Sequence, residues 1–158
     1  MDRRSFCLGL FSTTVVFDRL LLATPPLPIL AKPTVQWNYN LKAAHKLAVE
    51  QEKPLLIVFG ASWCTYCHKL ERETLGDKRV STIVNRKFIP LHLDFDQDAR
   101  VAKVLEVERL PCTVIINADA DLLQKREGYL DCNQYLRTLE SALEKSNQIQ
   151  QTKGSAAS

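Results

Sequence analysis

Cys64 and Cys67 are separated by Thr65 and Tyr66, a spacing that lets two thiols close a small disulfide. They lie in Trp63-Cys64-Thr65-Tyr66-Cys67, after the apolar run Pro54-Leu55-Leu56-Ile57-Val58-Phe59 and before the helical pattern His68-Lys69-Leu70-Glu71-Arg72-Glu73. At a strand-to-helix junction, free backbone N–H groups and the positive end of the helix favour a thiolate. A thiolate is the attacking species in disulfide exchange, so these residues point to redox chemistry. Cys64, at the helix start, is the expected nucleophile. Cys67, one turn inside and more buried, is the expected resolving thiol.

Other chemistries share parts of this pattern. Cys64-Thr65-Tyr66-Cys67-His68 satisfies the C-x-x-C-H pattern of covalent haem attachment, with His68 as an iron ligand. The only methionine is Met1, so the common Met second ligand is missing, and the motif sits between a buried strand and a regular helix. Zinc would need two further ligands, and no second closely spaced pair supplies them. No cofactor or metal is therefore expected. His68 either favours the Cys64 thiolate by its positive charge or is a solvated helix residue. Arg109 has the same two readings. Trp63 is expected to form an apolar rim for a docking substrate, to pack beneath the loop, or both.

The elements that must position the cysteines follow from hydrophobic periodicity. Leu41, Ala44, Leu47 and Ala48 recur at helical spacing, predicting a helix from about Asn38 to Glu52 that Pro54 ends. Leu55 to Phe59 is too short for a helix and predicts a strand buried on both sides. The cysteine helix is expected to break near Gly76, with Asp77 capping a further turn that carries Val80, Ile83 and Val84. Phe88 to Phe95 predicts a second strand with Pro90 near its start. Asp98 to Glu106 predicts a short helix with Val101, Val104 and Leu105 inward. Cys112 to Ile116 and Leu122 to Glu127 predict a hairpin across Asn117-Ala118-Asp119-Ala120-Asp121. Asp131 caps a final amphipathic helix with Tyr135, Leu136, Leu139 and Leu143 on one face. Trp37, Phe88 and Tyr135 are expected in packing roles. This order calls for an α/β architecture, a central mixed sheet with helices on both faces.

The chain has 158 residues, 46% hydrophobic, enough for one compact domain with appendages. A net charge of +3, spread along the chain, gives no basic patch for nucleic acid. No apolar run approaches the roughly 20 residues needed to span a bilayer. Residues 1–31 have the character of a targeting segment: Arg3-Arg4-Ser5-Phe6-Cys7-Leu8 places paired arginines before an apolar stretch, like a twin-arginine export signal. Asp18 and Arg19 interrupt that stretch, and cleavage is expected after Ile29-Leu30-Ala31. An uncleaved, disordered N-terminus is the alternative. Export places residues 32–147 outside the cytoplasm, periplasmic or otherwise extracytoplasmic, where unassisted thiols become oxidised. Residues 148–158 are polar and expected to be disordered. Of the five cysteines, Cys7 leaves with the signal. Cys112 and Cys132 either pair or are buried as small apolar residues.

These pieces together resemble the thioredoxin-like family. Phe59-Gly60-Ala61-Ser62-Trp63-Cys64-Thr65-Tyr66-Cys67 looks like its strand-to-active-site segment, and Val107-Glu108-Arg109-Leu110-Pro111 like the loop that holds its cis-proline. Gly128-Tyr129-Leu130 before the last helix also fits. Lys53-Pro54, His68-Lys69-Leu70-Glu71 and Glu73-Thr74-Leu75 are similar to secreted domains related to the C-terminal domain of the disulfide interchange protein DsbD. The resemblance implies a thioredoxin fold over about residues 34 to 146. It also implies a redox-active Cys64–Cys67 disulfide and substrate binding by Trp63, Leu110 and Pro111, the Leu110 backbone pairing with an extended substrate strand.

Implied partners are protein thiols and disulfides, with a membrane electron donor of the DsbD/CcdA type, the chain being a monomer. Reduction is the direction the DsbD likeness implies; oxidation and isomerisation stay open. A module that only binds, with a structural disulfide, is the alternative. Three positions depart from the pattern. Val58 stands where thioredoxin has a buried acid that helps deprotonate the resolving cysteine, so a base must come from elsewhere. Thr65-Tyr66 matches neither the Gly-Pro of thioredoxin nor the Pro-His of DsbA. Cys112 replaces the usual threonine after the proline.

Overall fold

Strand β1, Leu55–Gly60, is buried along its whole length and is the axis on which everything else is hung. The structure, a computed structural model, describes residues 34–156, so the expected export signal lies outside the described residues. Helix α1, Leu41–Gln51, precedes β1; the Asn40 side chain accepts the Ala43 N–H at 2.9 Å at its start. Helix α2, Thr65–Lys69, follows β1 and runs directly into a π-helical turn, Leu70–Leu75. Helix α3, Lys78–Lys87, starts at Asp77, whose carboxylate accepts the Arg79 N–H as expected. Strand β2 is Ile89–Asp94, helix α4 is Ala99–Val104, and strands β3 and β4 are Cys112–Ile116 and Leu122–Glu127. Helix α5, Cys132–Ala156, closes the order. At its start Asp131 and Gln134 exchange two hydrogen bonds, a reciprocal cap.

The four strands run in the order β2-β1-β3-β4, with β1 parallel to β2 and β3 antiparallel to both its neighbours. Alternation along β1 sends Leu55, Ile57 and Phe59 to one face, against Ala44 and Ala48 of α1 and Ala102 of α4. Leu56 and Val58 go to the other, against Leu70, Leu75, Val80, Val84, Tyr135 and Leu139. Each large side chain so buried contributes roughly 1.5–3 kcal/mol. The result is the expected α/β mixed sheet flanked on both faces. Pro90 is tolerated because β2 is an edge strand, and its carbonyl is used by the Asn38 backbone and side-chain N–H groups, both at 2.9 Å.

Two expectations are corrected. The tail from Gln148 is not disordered up to Ala156 but continues α5. Ile149 packs on the core, and the Lys153 ammonium pairs with Asp119 and, at 3.6 Å, Asp121 of the β3–β4 turn. Val104 does not face inward: it is exposed, because the buried side of α4 is centred on Val101, Ala102 and Leu105.

Candidate active site

The site forms where β1 ends. Ala61, Cys64 and Cys67 make a small buried cluster, with Phe95 and Leu110 packed against it. Cys64 and Cys67 are joined in a disulfide, Cα–Cα 5.3 Å. Cys64 occupies the N-cap of α2, and the Cys67 backbone N–H donates to Cys64 Sγ at 3.1 Å. Such a donor stabilises charge on that sulfur when the disulfide is opened. Cys64 is 7% and Cys67 3% exposed, the order expected of an attacking and a resolving sulfur.

The Leu110–Pro111 peptide bond is cis, the form the resemblance implies. Leu110 touches the cysteine cluster while Pro111 is buried, so the loop is brought to the sulfur pair across the start of β3. The end of β4 holds that loop in place. Glu127 accepts the Glu108 N–H at 3.0 Å, and the Gly128 N–H donates to the Pro111 carbonyl at 2.7 Å. Gly128 has φ 85°, a left-handed conformation that glycine adopts without steric cost. The Glu108 N–H, helped by Lys125, holds the Glu127 carboxyl below its ordinary range.

Trp63 is 64% exposed and does not pack beneath the loop. Its indole N–H donates to Asp96 at 2.9 Å. Asp96 is itself set by the Asp94 side chain, which accepts the Asp96 and Gln97 N–H groups in the turn after β2. Tyr66, 62% exposed, follows three residues after Trp63, so two exposed aromatic residues lie in the segment that carries the sulfur pair. His68 turns its Nε2 to the Ser62 carbonyl at 3.0 Å; a bond to a carbonyl makes that nitrogen the donor. It braces the loop.

Cys112 and Cys132 are both free thiols and do not pair. Cys112 is fully buried, and burial together with the Glu127 charge pushes its thiol up to about 11. Cys132 Sγ donates to the Glu73 carbonyl at 3.4 Å. Among the described residues no three His, Cys, Asp or Glu side chains come together as a metal-binding group. Asp96, Glu127 and His92, the partner of Glu71, are site neighbours that sequence patterns do not reveal. Asp96, Glu127 and His92 are held by Trp63, Glu108 and Glu71, partners 33, 19 and 21 residues away in the chain.

Known proteins resemble this chain in sequence and in fold. Chloroplastic thioredoxin Y of Oryza sativa subsp. japonica is 31% identical over 99 residues, which is 63% of this chain and 56% of the rice protein. Spermatogenesis-associated protein 20 of Rattus norvegicus is 27% identical over 70 residues, 44% of this chain but 9% of the rat protein. The chain thus spans little more than half of the first of these relatives and about a tenth of the second.

Among solved structures, a thioredoxin from Thermus thermophilus superposes with TM-score 0.66 at 20% identity, over 72% of this chain and 90% of that one. The DsbH oxidoreductase gives 0.63 at 20% identity, over 77% and 92%. The oxidised C-terminal domain of Neisseria meningitidis DsbD gives 0.58 at 20% identity, over 65% and 92%. At these identities the likeness establishes the fold. Residues 41–143 match the thioredoxin-like domain family, and the chain belongs to it.

Proposed function

We propose that the protein is a thiol-disulfide oxidoreductase that acts on protein disulfides outside the cytoplasm, in the reducing direction. The observation that carries the chemistry is the Cys64–Cys67 disulfide at the start of α2, with Leu110 beside it and a backbone N–H on Cys64 Sγ. In the reduced state the Cys64 thiolate attacks one sulfur of a substrate disulfide. A mixed disulfide forms and the other substrate sulfur leaves with the electron pair. Cys67 then gives up its proton and attacks Cys64 Sγ. The Cys64–Cys67 bond forms, and the substrate sulfur leaves as the second thiolate. The substrate gains two electrons and the dithiol is oxidised to the disulfide seen here.

Substrate placement falls to Trp63 and Tyr66 as an apolar rim and to the Leu110 backbone as an extended-strand partner. The reducing direction is supported by the DsbD-like stretches around Glu71. It requires electrons from a membrane donor of the DsbD/CcdA type, since glutathione pools serve the cytoplasm. Export is supported by the paired arginines Arg3 and Arg4. Insulin reduction tests the assignment. The parent protein, supplied with dithiothreitol, accelerates precipitation of the insulin B chain, and Cys64→Ser does not. Equal activity in Cys64→Ser would remove Cys64 as the nucleophile and leave a binding module with a structural disulfide.

A further inference from the structure

Cys67 must lose a proton before it can attack, and Val58, on β1 at the position where thioredoxin has a buried acid, can take none. The sheet register supplies a replacement one strand over. His92 of β2 is the cross-strand partner of Val58, and paired residues present their side chains to the same sheet face. That is the face covered by α2 and the π-helical turn, where Val58 packs with Leu70 and Leu75. His92 Nε2 lies 3.0 Å from Glu71 Oε1, and Glu71 stands one turn beyond Cys67.

Gly60 opens the path. A Cβ on Gly60 would sit 3.3 Å from His92 Nε2 and 3.6 Å from Cys67 Cβ, so imidazole and cysteine both border the space that the missing side chain leaves. Other groups facing the imidazole are the Trp37 ring, edge-on at 5.6 Å, and the Tyr39 ring at 6.3 Å. Asp94, two residues along β2, is occupied as the turn acceptor for Asp96 and Gln97. The His92 side chain is 22% and the Glu71 side chain 42% exposed, so a proton taken up here can pass on to water.

Building on the oxidoreductase assignment, we propose that the hydrogen-bonded pair His92–Glu71 is the proton acceptor for the Cys67 thiol in the resolving step, reached directly or through one water across Gly60. Before transfer the pair holds one proton, on Nε2 and donated to Oε1, and carries one negative charge. As the Nε2 proton passes to Glu71 Oε1, Nε2 takes up the Cys67 proton, so after transfer the pair holds two protons and is neutral. The Cys67 thiolate so formed attacks Cys64 Sγ, the internal disulfide closes, and the substrate thiolate departs. The pair then returns its proton to solvent.

The two steps separate in rapid mixing of the reduced full-length chain, carrying Cys7→Ser and Cys132→Ser, with 5,5′-dithiobis(2-nitrobenzoate). Attack by Cys64 releases one coloured thionitrobenzoate, and resolution by Cys67 releases the second. His92→Phe, which keeps a ring against Trp37, and His92→Gln, which keeps a polar group toward Glu71, should each slow the second release about a hundredfold at neutral pH. The first release should change by less than about threefold, since its thiolate forms at Cys64 and not at Cys67. In both variants the second rate should rise about tenfold per pH unit as it follows the bare thiol's ionisation, while the parent rises less steeply. Glu71→Gln should slow the second release by about tenfold. Second-release rates and pH profiles matching the parent in both His92 variants would overturn the inference while leaving the oxidoreductase intact. Equal slowing at every pH would overturn it too, by reducing His92 to a packing role. Absence of the first release in the parent would instead remove the nucleophile, and the enzyme assignment with it.

Discussion

Cys64 and Cys112 are two buried sulfurs at neighbouring ends of the same sheet, 7% and 0% exposed, and they are built for opposite fates. Cys64 sits past the end of β1 as a helix cap and receives the Cys67 N–H. Cys112 sits at the start of β3, paired in register with Glu127 on one side and Phe59 on the other, and burial pushes its thiol up to about 11. Burial alone therefore does not make a thiol reactive. What separates the two is whether a donor or an acid faces the sulfur.

The sharpest way to break this comparison is to exchange the roles by deletion. Cys64→Ser should lower insulin reduction by more than about a thousandfold, since no other thiolate is placed to attack. Cys112→Ala should leave it within about twofold. Next in size is the aromatic rim. Trp63→Ala should raise KM for a protein disulfide by about tenfold with kcat little changed, and Asp96→Ala, which only frees the indole, by about threefold.

Much of this arrangement is legible from residue order because the interior elements are short and unambiguous. β1 is apolar at every position and buried at every position, and the turn after β3 and the caps Asp77 and Asp131 fall where their side chains predict. What was not legible depends on contacts distant in the chain. The helical continuation to Ala156 rests on Ile149 meeting the core and Lys153 meeting the β3–β4 turn, neither of which a polar composition announces. Val104 misled because a six-residue helix has too few turns to define its buried side by spacing. Asp96, Glu127 and His92 act through partners in other elements, and only the register of β2 on β1 brings His92 beside Val58.

A smaller effect tests the packing that holds the cysteine helix. A Cβ on Gly76 would lie 2.5 Å from the Arg72 carbonyl oxygen, so Gly76→Ala forces the end of the π-helical turn to move. It should cost about 1–3 kcal/mol in chemical denaturation. The smallest effect is a pH signature of the quiet thiol. The folded state keeps Cys112 protonated up to about 11 against an ordinary 9.0, so it binds more protons than the unfolded chain between those values. The resulting stabilisation is full below pH 9.0 and is lost as the pH rises through about 11, and the stability difference between the parent and Cys112→Ala should narrow over that interval. Below it, iodoacetamide should label Cys112 only after unfolding.

The division of labour between the sulfurs is tested most directly by trapping. Reduced Cys67→Ala, incubated with native insulin and analysed by non-reducing peptide mass spectrometry, lacks the thiol that would release the intermediate. The account predicts an insulin chain linked to Cys64 in stoichiometric yield and to neither Cys112 nor Cys132. Insulin attached to Cys112 or Cys132, or none attached at Cys64, would contradict it.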